Sequence, residues 1–108
     1  MLPLAAVGCE THVCTTEARA GLSVTVRESS GALVCDATVT AHDGNYSEKL
    51  MVAACVYWGG LERPGNYTLD VVAGSRSKTT SGVVVTSGDC HVNGRDITVT
   101  LDGPGDAG

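Results

Sequence analysis

Hydrophobic and polar side chains alternate along most of this chain with the period of a strand. In "GLSVTVRES", Leu22, Val24 and Val26 fall on one face and Ser23, Thr25 and Arg27 on the other, the pattern of a half-buried strand. "ATVTAH" repeats it, with Ala37, Val39 and Ala41 inward and Thr38, Thr40 and His42 outward. Asp43-Gly44-Asn45 has the chemistry of a tight turn and leads into a short strand, "YSEKL", because Gly and Asn tolerate positive φ. The apolar run "MVAACVYW" fits a buried strand better than a helical turn, on the weight of Val56, Tyr57 and Trp58. "GNYTLDVVA" is the most regular segment, with Tyr67, Leu69, Val71 and Ala73 inward. "TTSGVVVTS" has three consecutive valines, which imply burial on both faces or a bulge at Gly82. "RDITVTLDG" closes the series with Ile97, Val99 and Leu101 inward. About seven short strands with turns every eight to twelve residues, and no amphipathic helix, predict an all-β, antiparallel seven-stranded β-sandwich.

Composition agrees with a small sheet protein. The chain of 108 residues is one domain by length, and its apolar content is Val, Ala and Leu, with no Phe, one Trp and three Tyr. Seven basic residues are scattered singly in a chain of net charge −5, so no basic stripe is available to neutralise a phosphate backbone and nucleic acid is not an expected partner. Runs free of charged and polar side chains, such as Met1 to Cys9, fall short of the roughly eighteen residues that span a bilayer.

Five cysteines in so short a chain point to an oxidising compartment. An odd count leaves one unpaired. Met1 to Gly8 reads as the end of a secretory apolar region, and Ala6-Val7-Gly8-Cys9 resembles the bacterial lipobox, in which a cysteine after small residues is lipidated and becomes the mature amino terminus. The resemblance assigns the odd cysteine: Cys9 carries lipid. Residues 1–8 are then a signal remnant, 9–20 a tether, 21–102 the sandwich and 103–108 a flexible tail. Four cysteines remain, with three connectivities open to them. Placing Cys14 at the entry to the first strand and Cys90 in the turn before the last favours Cys14 with Cys90. Cys35 and Cys55 flank strands that fold back on one another, and form the second pair.

Particular segments carry a family likeness: "GLSVTVRESSGALVCDATVTA", "PGNYTLDVVAGS" with Gly65-Asn66-Tyr67, "VVVTSGDCHV" and "DITVTL". Their order over residues 21–102 resembles the carboxypeptidase regulatory-like domains, which share the transthyretin-like (prealbumin-like) β-sandwich. Leu33 stands where that family often has Pro. The resemblance implies an accessory module with no catalytic site, found beside peptidases or alone on exported proteins, and it transfers a scaffold without a ligand. Hydroxyisourate hydrolases share the sandwich and carry Tyr-Arg-Gly-Ser, which does not occur here. Arg27 stands in the first strand where pilin-type sandwiches use a Lys for an isopeptide bond.

The remaining chemistry is sparse. Cys9, His12, Cys14, Cys90 and His91 offer zinc-type donors, but C-x4-C lacks the tight spacing of structural sites, so no metal or cofactor is expected. His12, His42 and His91 have no nucleophile beside them in sequence, and Asp36, Asp43, Glu48 and Asp70 are isolated acids. Asn45 and Asn66 fit the N-glycosylation pattern and read as turn residues in a bacterial setting. Tyr57 and Trp58, before Gly59-Gly60, are the candidate binding surface. The expectation is a non-enzymatic, exported, monomeric module at the bacterial envelope, binding a protein or glycan and meeting the membrane through Cys9. Two alternatives stand: a regulatory domain of a peptidase and, further off, a hydrolase.

Overall fold

The computed structural model describes residues 14–101; residues 1–13 and 102–108, with the expected signal, lipidation at Cys9 and tail, lie outside the described residues. Nine strands occur among the described residues: β1 (Leu22–Glu28), β2 (Thr38–Asp43), β3 (Tyr46–Lys49), β4 (Met51–Ala53), β5 (Val56–Gly59), β6 (Gly65–Ala73), β7 (Arg76–Ser87), β8 (Val92–Asn93) and β9 (Arg95–Leu101). They form two sheets, β4-β5-β1-β9 and β3-β2-β6-β7-β8. The domain is all-β and sandwich-like. One sheet is mixed, because β9 runs parallel to β1 with Leu22 beside Arg95 and Glu28 beside Leu101. The other is antiparallel throughout and curls as a half-barrel. This corrects the purely antiparallel, seven-stranded expectation.

The run 51–58 accounts for much of the difference in strand number. It is a hairpin: β4 and β5 pair antiparallel around Ala54-Cys55, both with positive φ, 52° and 64°. Two such residues are what a two-residue hairpin turn with the right twist demands, and side chains other than Gly, Asn or Asp adopt them at a cost of ~1–2 kcal/mol each. Leu50 explains why β3 and β4 are separate. It is buried, its N–H donates to the Val39 carbonyl at 2.8 Å, and there the chain crosses from one sheet to the other.

Elsewhere the alternation is realised directly. Leu22, Val24, Val26, Val39, Ala41, Tyr67, Leu69, Val71, Val83, Val85, Val99 and Leu101 are buried in one core. Each fully buried large apolar side chain contributes ~1.5–3 kcal/mol. The valine run resolves as a bulge, since the β6–β7 register shifts between Tyr67 and Leu69 opposite Gly82, whose φ is +73°. Val84 consequently points out and is exposed.

Two disulfides staple this frame, Cys14–Cys90 and Cys35–Cys55, the same two pairs the strand placement favours. Their sequence separations of 76 and 20 residues correspond, by chain entropy, to about 4.5 and about 3.3 kcal/mol. Two disulfides in one small domain indicate an extracellular or otherwise oxidising compartment.

Candidate functional site

Tyr57 and Trp58 are neighbours in sequence and opposite in role, because consecutive strand residues face opposite sides. Tyr57 is 1% exposed, and its hydroxyl donates to the Val34 carbonyl at 2.8 Å and accepts from the Ala37 N–H at 2.9 Å. It holds the β1–β2 connection to β5, which takes it out of any binding surface. Trp58 is half-buried on the outer face of the mixed sheet, between Met51 on β4 and Ser23 on β1. The next row holds Ala53, Val56 and Thr25, and beyond it Leu33 bridges to Arg27. Half of this face is therefore apolar, with Met51 60% and Leu33 49% exposed. The other half, on β9, carries Asp96, Thr98 and Thr100. β4 has a neighbour on one side only, and its three residues include no charge and no proline, so the usual guards of an open edge are missing.

A second constellation forms at the end of the sandwich. The Gly60–Pro64 loop has the signature of a tight turn, Gly-Gly before and Pro-Gly after. Glu62 sits in it at φ +49°, a left-handed conformation that must be held by its surroundings. Its N–H donates to the Arg19 carbonyl at 2.9 Å; its carboxylate accepts from the N–H of Arg19 at 2.9 Å and of Val92 at 3.0 Å. The same carboxylate meets His91 Nδ1, and His91 Nε2 lies 2.8 Å from Thr15 Oγ1. The His91 contact first, then the Arg19 and Val92 N–H groups, hold the Glu62 carboxyl below its ordinary value against the opposing effect of burial. Glu17 is also lowered, by Arg19 first and then by Thr15. An open pocket of about 170 Å³ adjoins the imidazole, lined also by Glu62, Pro64, Ser87, Gly88 and Val92.

Residues 14–20, read from sequence as tether, are thus fastened to the sandwich by Cys14–Cys90, by Thr15 and by Arg19. Gly21 continues the fastening through its N–H to the Gly60 carbonyl at 3.1 Å.

The other candidates are dispersed. His42 Nε2 pairs with Asp70 at 2.8 Å on the outer face of the curled sheet, where Thr79 donates to the same carboxylate. Asp43 pairs with Arg63, whose guanidinium lies 3.6 Å over the Tyr46 ring. Glu48 accepts from the Tyr46 hydroxyl at 2.6 Å and from the Gly60 N–H at 3.0 Å. Asp36, Asn45 and Asn66 are exposed. Of the zinc-type donors weighed above, Cys14 and Cys90 are bonded to each other, and Cys9 and His12 lie outside the described residues. No group of three or more potential metal ligands occurs among the described residues.

Sequence reading missed Glu62 and Thr15 because both meet His91 only through folding, across separations of 29 and 76 residues. The one local signal was an acid inside a Gly/Pro-bounded loop. Neither family models nor curated proteins match this chain.

Proposed function

We propose that this chain is an exported binding module, of the transthyretin-like β-sandwich kind that residues 21–102 resemble, held at the bacterial envelope by lipid on Cys9. It captures an extended segment of a partner protein at the open edge of β4. The observation that carries this reading is the apolar half-face around Trp58, continuous with an uncharged edge strand. Addition of a strand supplies main-chain hydrogen bonds along β4, and Met51, Trp58 and Val56 supply side-chain contacts on one face. Trp and Met are enriched in such interface centres because they bury large area with adaptable geometry. The fastened entry segment supports a positioning role, since Cys14 and Arg19 tie the start of the described chain to the sandwich.

The test is photo-crosslinking in the native host, with a benzophenone side chain at Met51 and, as control, at Thr98 on the polar half of the same face. A discrete protein adduct from position 51, absent from position 98 and lost on Trp58→Ala, is the expected result. If the adduct is a peptidase, the module is its accessory domain. Equal labelling from both positions, or a partner detected only as glycan, contradicts the reading. Fractionation of Cys9→Ser tests the anchor: the variant leaves the membrane fraction, and retention there contradicts lipidation.

A further inference from the structure

A hydroxyl, an imidazole and a carboxylate stand in line at the sandwich end. Thr15 Oγ1 is 2.8 Å from His91 Nε2, and His91 Nδ1 faces Glu62. This is the arrangement that activates a hydroxyl nucleophile: a base within hydrogen-bond reach, oriented by a third group on its far nitrogen. Glu62 is rigid, fixed by two backbone N–H donors and by a strained φ. In the neutral tautomer that carries its proton on Nδ1, toward Glu62, Nε2 is the acceptor for the Thr15 proton. A small pocket opens against the same ring.

From this geometry we infer that Thr15 is a nucleophile activated by His91, with Glu62 as its positioning residue, acting on small acyl esters. The inference stands apart from partner binding at β4 and extends beyond it. Thr15 Oγ1 adds to the ester carbonyl carbon as its proton passes to His91 Nε2. The carbon–alkoxide bond breaks, the leaving alkoxide takes that proton, and acyl-Thr15 remains. Water then adds to the acyl carbon, giving its proton to Nε2; the Thr15 oxygen leaves, recovers the proton, and the carboxylic acid departs. Ester and water become acid and alcohol. The pocket of about 170 Å³ is lined by His91 and Glu62 and not by Thr15; it has room for a small group beside the ring, at ~30 Å³ per water displaced.

The charges facing the ring set the pH dependence. Glu62 lies on one nitrogen; Glu17, paired with Arg19 at 2.9 Å, lies near the other side and also hydrogen-bonds Thr15. A threonine hydroxyl has one proton to give. With a protonated ring it accepts from Nε2–H and donates to Glu17; with a neutral ring it donates to Nε2. The second arrangement, with a neutral ring, is the reactive one.

The experiment uses the oxidised full chain, p-nitrophenyl acetate as substrate and a fluorophosphonate as trap, the latter forming an Oγ1–P bond as fluoride leaves. Expected are saturable hydrolysis about 10²-fold above an equal concentration of free imidazole, and an adduct on the tryptic peptide ending at Arg19, localised to Thr15. Thr15→Val and His91→Gln should each lower the rate at least tenfold, Thr15→Ser should retain it, and Glu62→Gln should displace the pH inflection. Near-ultraviolet dichroism checks that each variant is folded; should Thr15→Val unfold, the Thr15 adduct and the Thr15→Ser rate decide. A rate no greater than that of imidazole, a fully active Thr15→Val, or no adduct at Thr15 overturns the inference and leaves the three residues as a structural clasp.

Discussion

Replacing Tyr57 by Phe removes one oxygen from the core and isolates the role of a single buried hydroxyl. That oxygen joins two backbone groups of the β1–β2 connection, donating to the Val34 carbonyl and accepting from the Ala37 N–H. Each hydrogen bond is worth ~0.5–1.5 kcal/mol net, and a buried group left without its partner costs a further ~1–3 kcal/mol. Val34 is 4% exposed, so its carbonyl is the group stranded, whereas Ala37 is half-buried and within reach of water. The expected loss is about 2–3 kcal/mol, a large share of a small domain's stability. Urea unfolding followed by the emission of Trp58, the sole tryptophan, measures it, with an unchanged denaturant slope showing that the two-state comparison holds. Cys35, between Val34 and Ala37, is bonded to Cys55, so the connection cannot swing out to hydrate itself. In a Cys35→Ala/Cys55→Ala background that restraint is gone, and the cost of Tyr57→Phe falls by about 1 kcal/mol. A loss below about 0.5 kcal/mol in the oxidised protein would refute the reasoning, because neither hydrogen bond could then be contributing at its ordinary strength.

Two further outcomes follow from backbone strain and from charge. Ala54, at φ 52°, should be replaceable by Gly or Asn with a gain of ~0.5–1 kcal/mol, and Ala54→Val should cost more than ~1 kcal/mol, both read as shifts in the urea midpoint. Because its contacts hold the folded Glu62 carboxyl below the ordinary value of 4.5, its contribution is complete above the unfolded pKa and is lost as pH falls through the folded one. The melting temperature of the native chain should therefore exceed that of Glu62→Gln at neutral pH, with the gap closing in acid below the carboxylate range; a gap independent of pH would refute it.

The alternation made the core legible, residue by residue, in Leu22/Val24/Val26, Tyr67/Leu69/Val71 and Val99/Leu101, because a two-residue period says directly which side chains face inward. Turns with Gly and Asn, such as Gly44-Asn45, were equally plain. The Ala54-Cys55 turn was not, since neither residue announces a positive φ, and the hairpin reads in the sequence as a single strand. The parallel pairing of β9 with β1 leaves no local mark either: alternation states which face is buried and is silent about which neighbour lies beside it. Tyr57 and Trp58 read alike from their place before two glycines, yet the fold buries Tyr57, because an aromatic with a polar tip reads the same whether that tip meets water or a buried carbonyl. Thr15, Glu62 and His91 come together only when both ends of the described chain are in place.

The central claim, that the Trp58 face is covered by a partner in the cell, is tested most directly by carbene footprinting of the domain in intact envelopes against the purified domain. Met51 and Val52 on β4 are exposed in the free domain, as are Val72 and Val84 on the curled sheet, which serve as the internal control. The account predicts that labelling of Met51, Val52 and Trp58 falls at least threefold in envelopes while Val72 and Val84 label equally in both. Unchanged labelling at Met51 and Trp58, or a loss at all five positions alike, would contradict it.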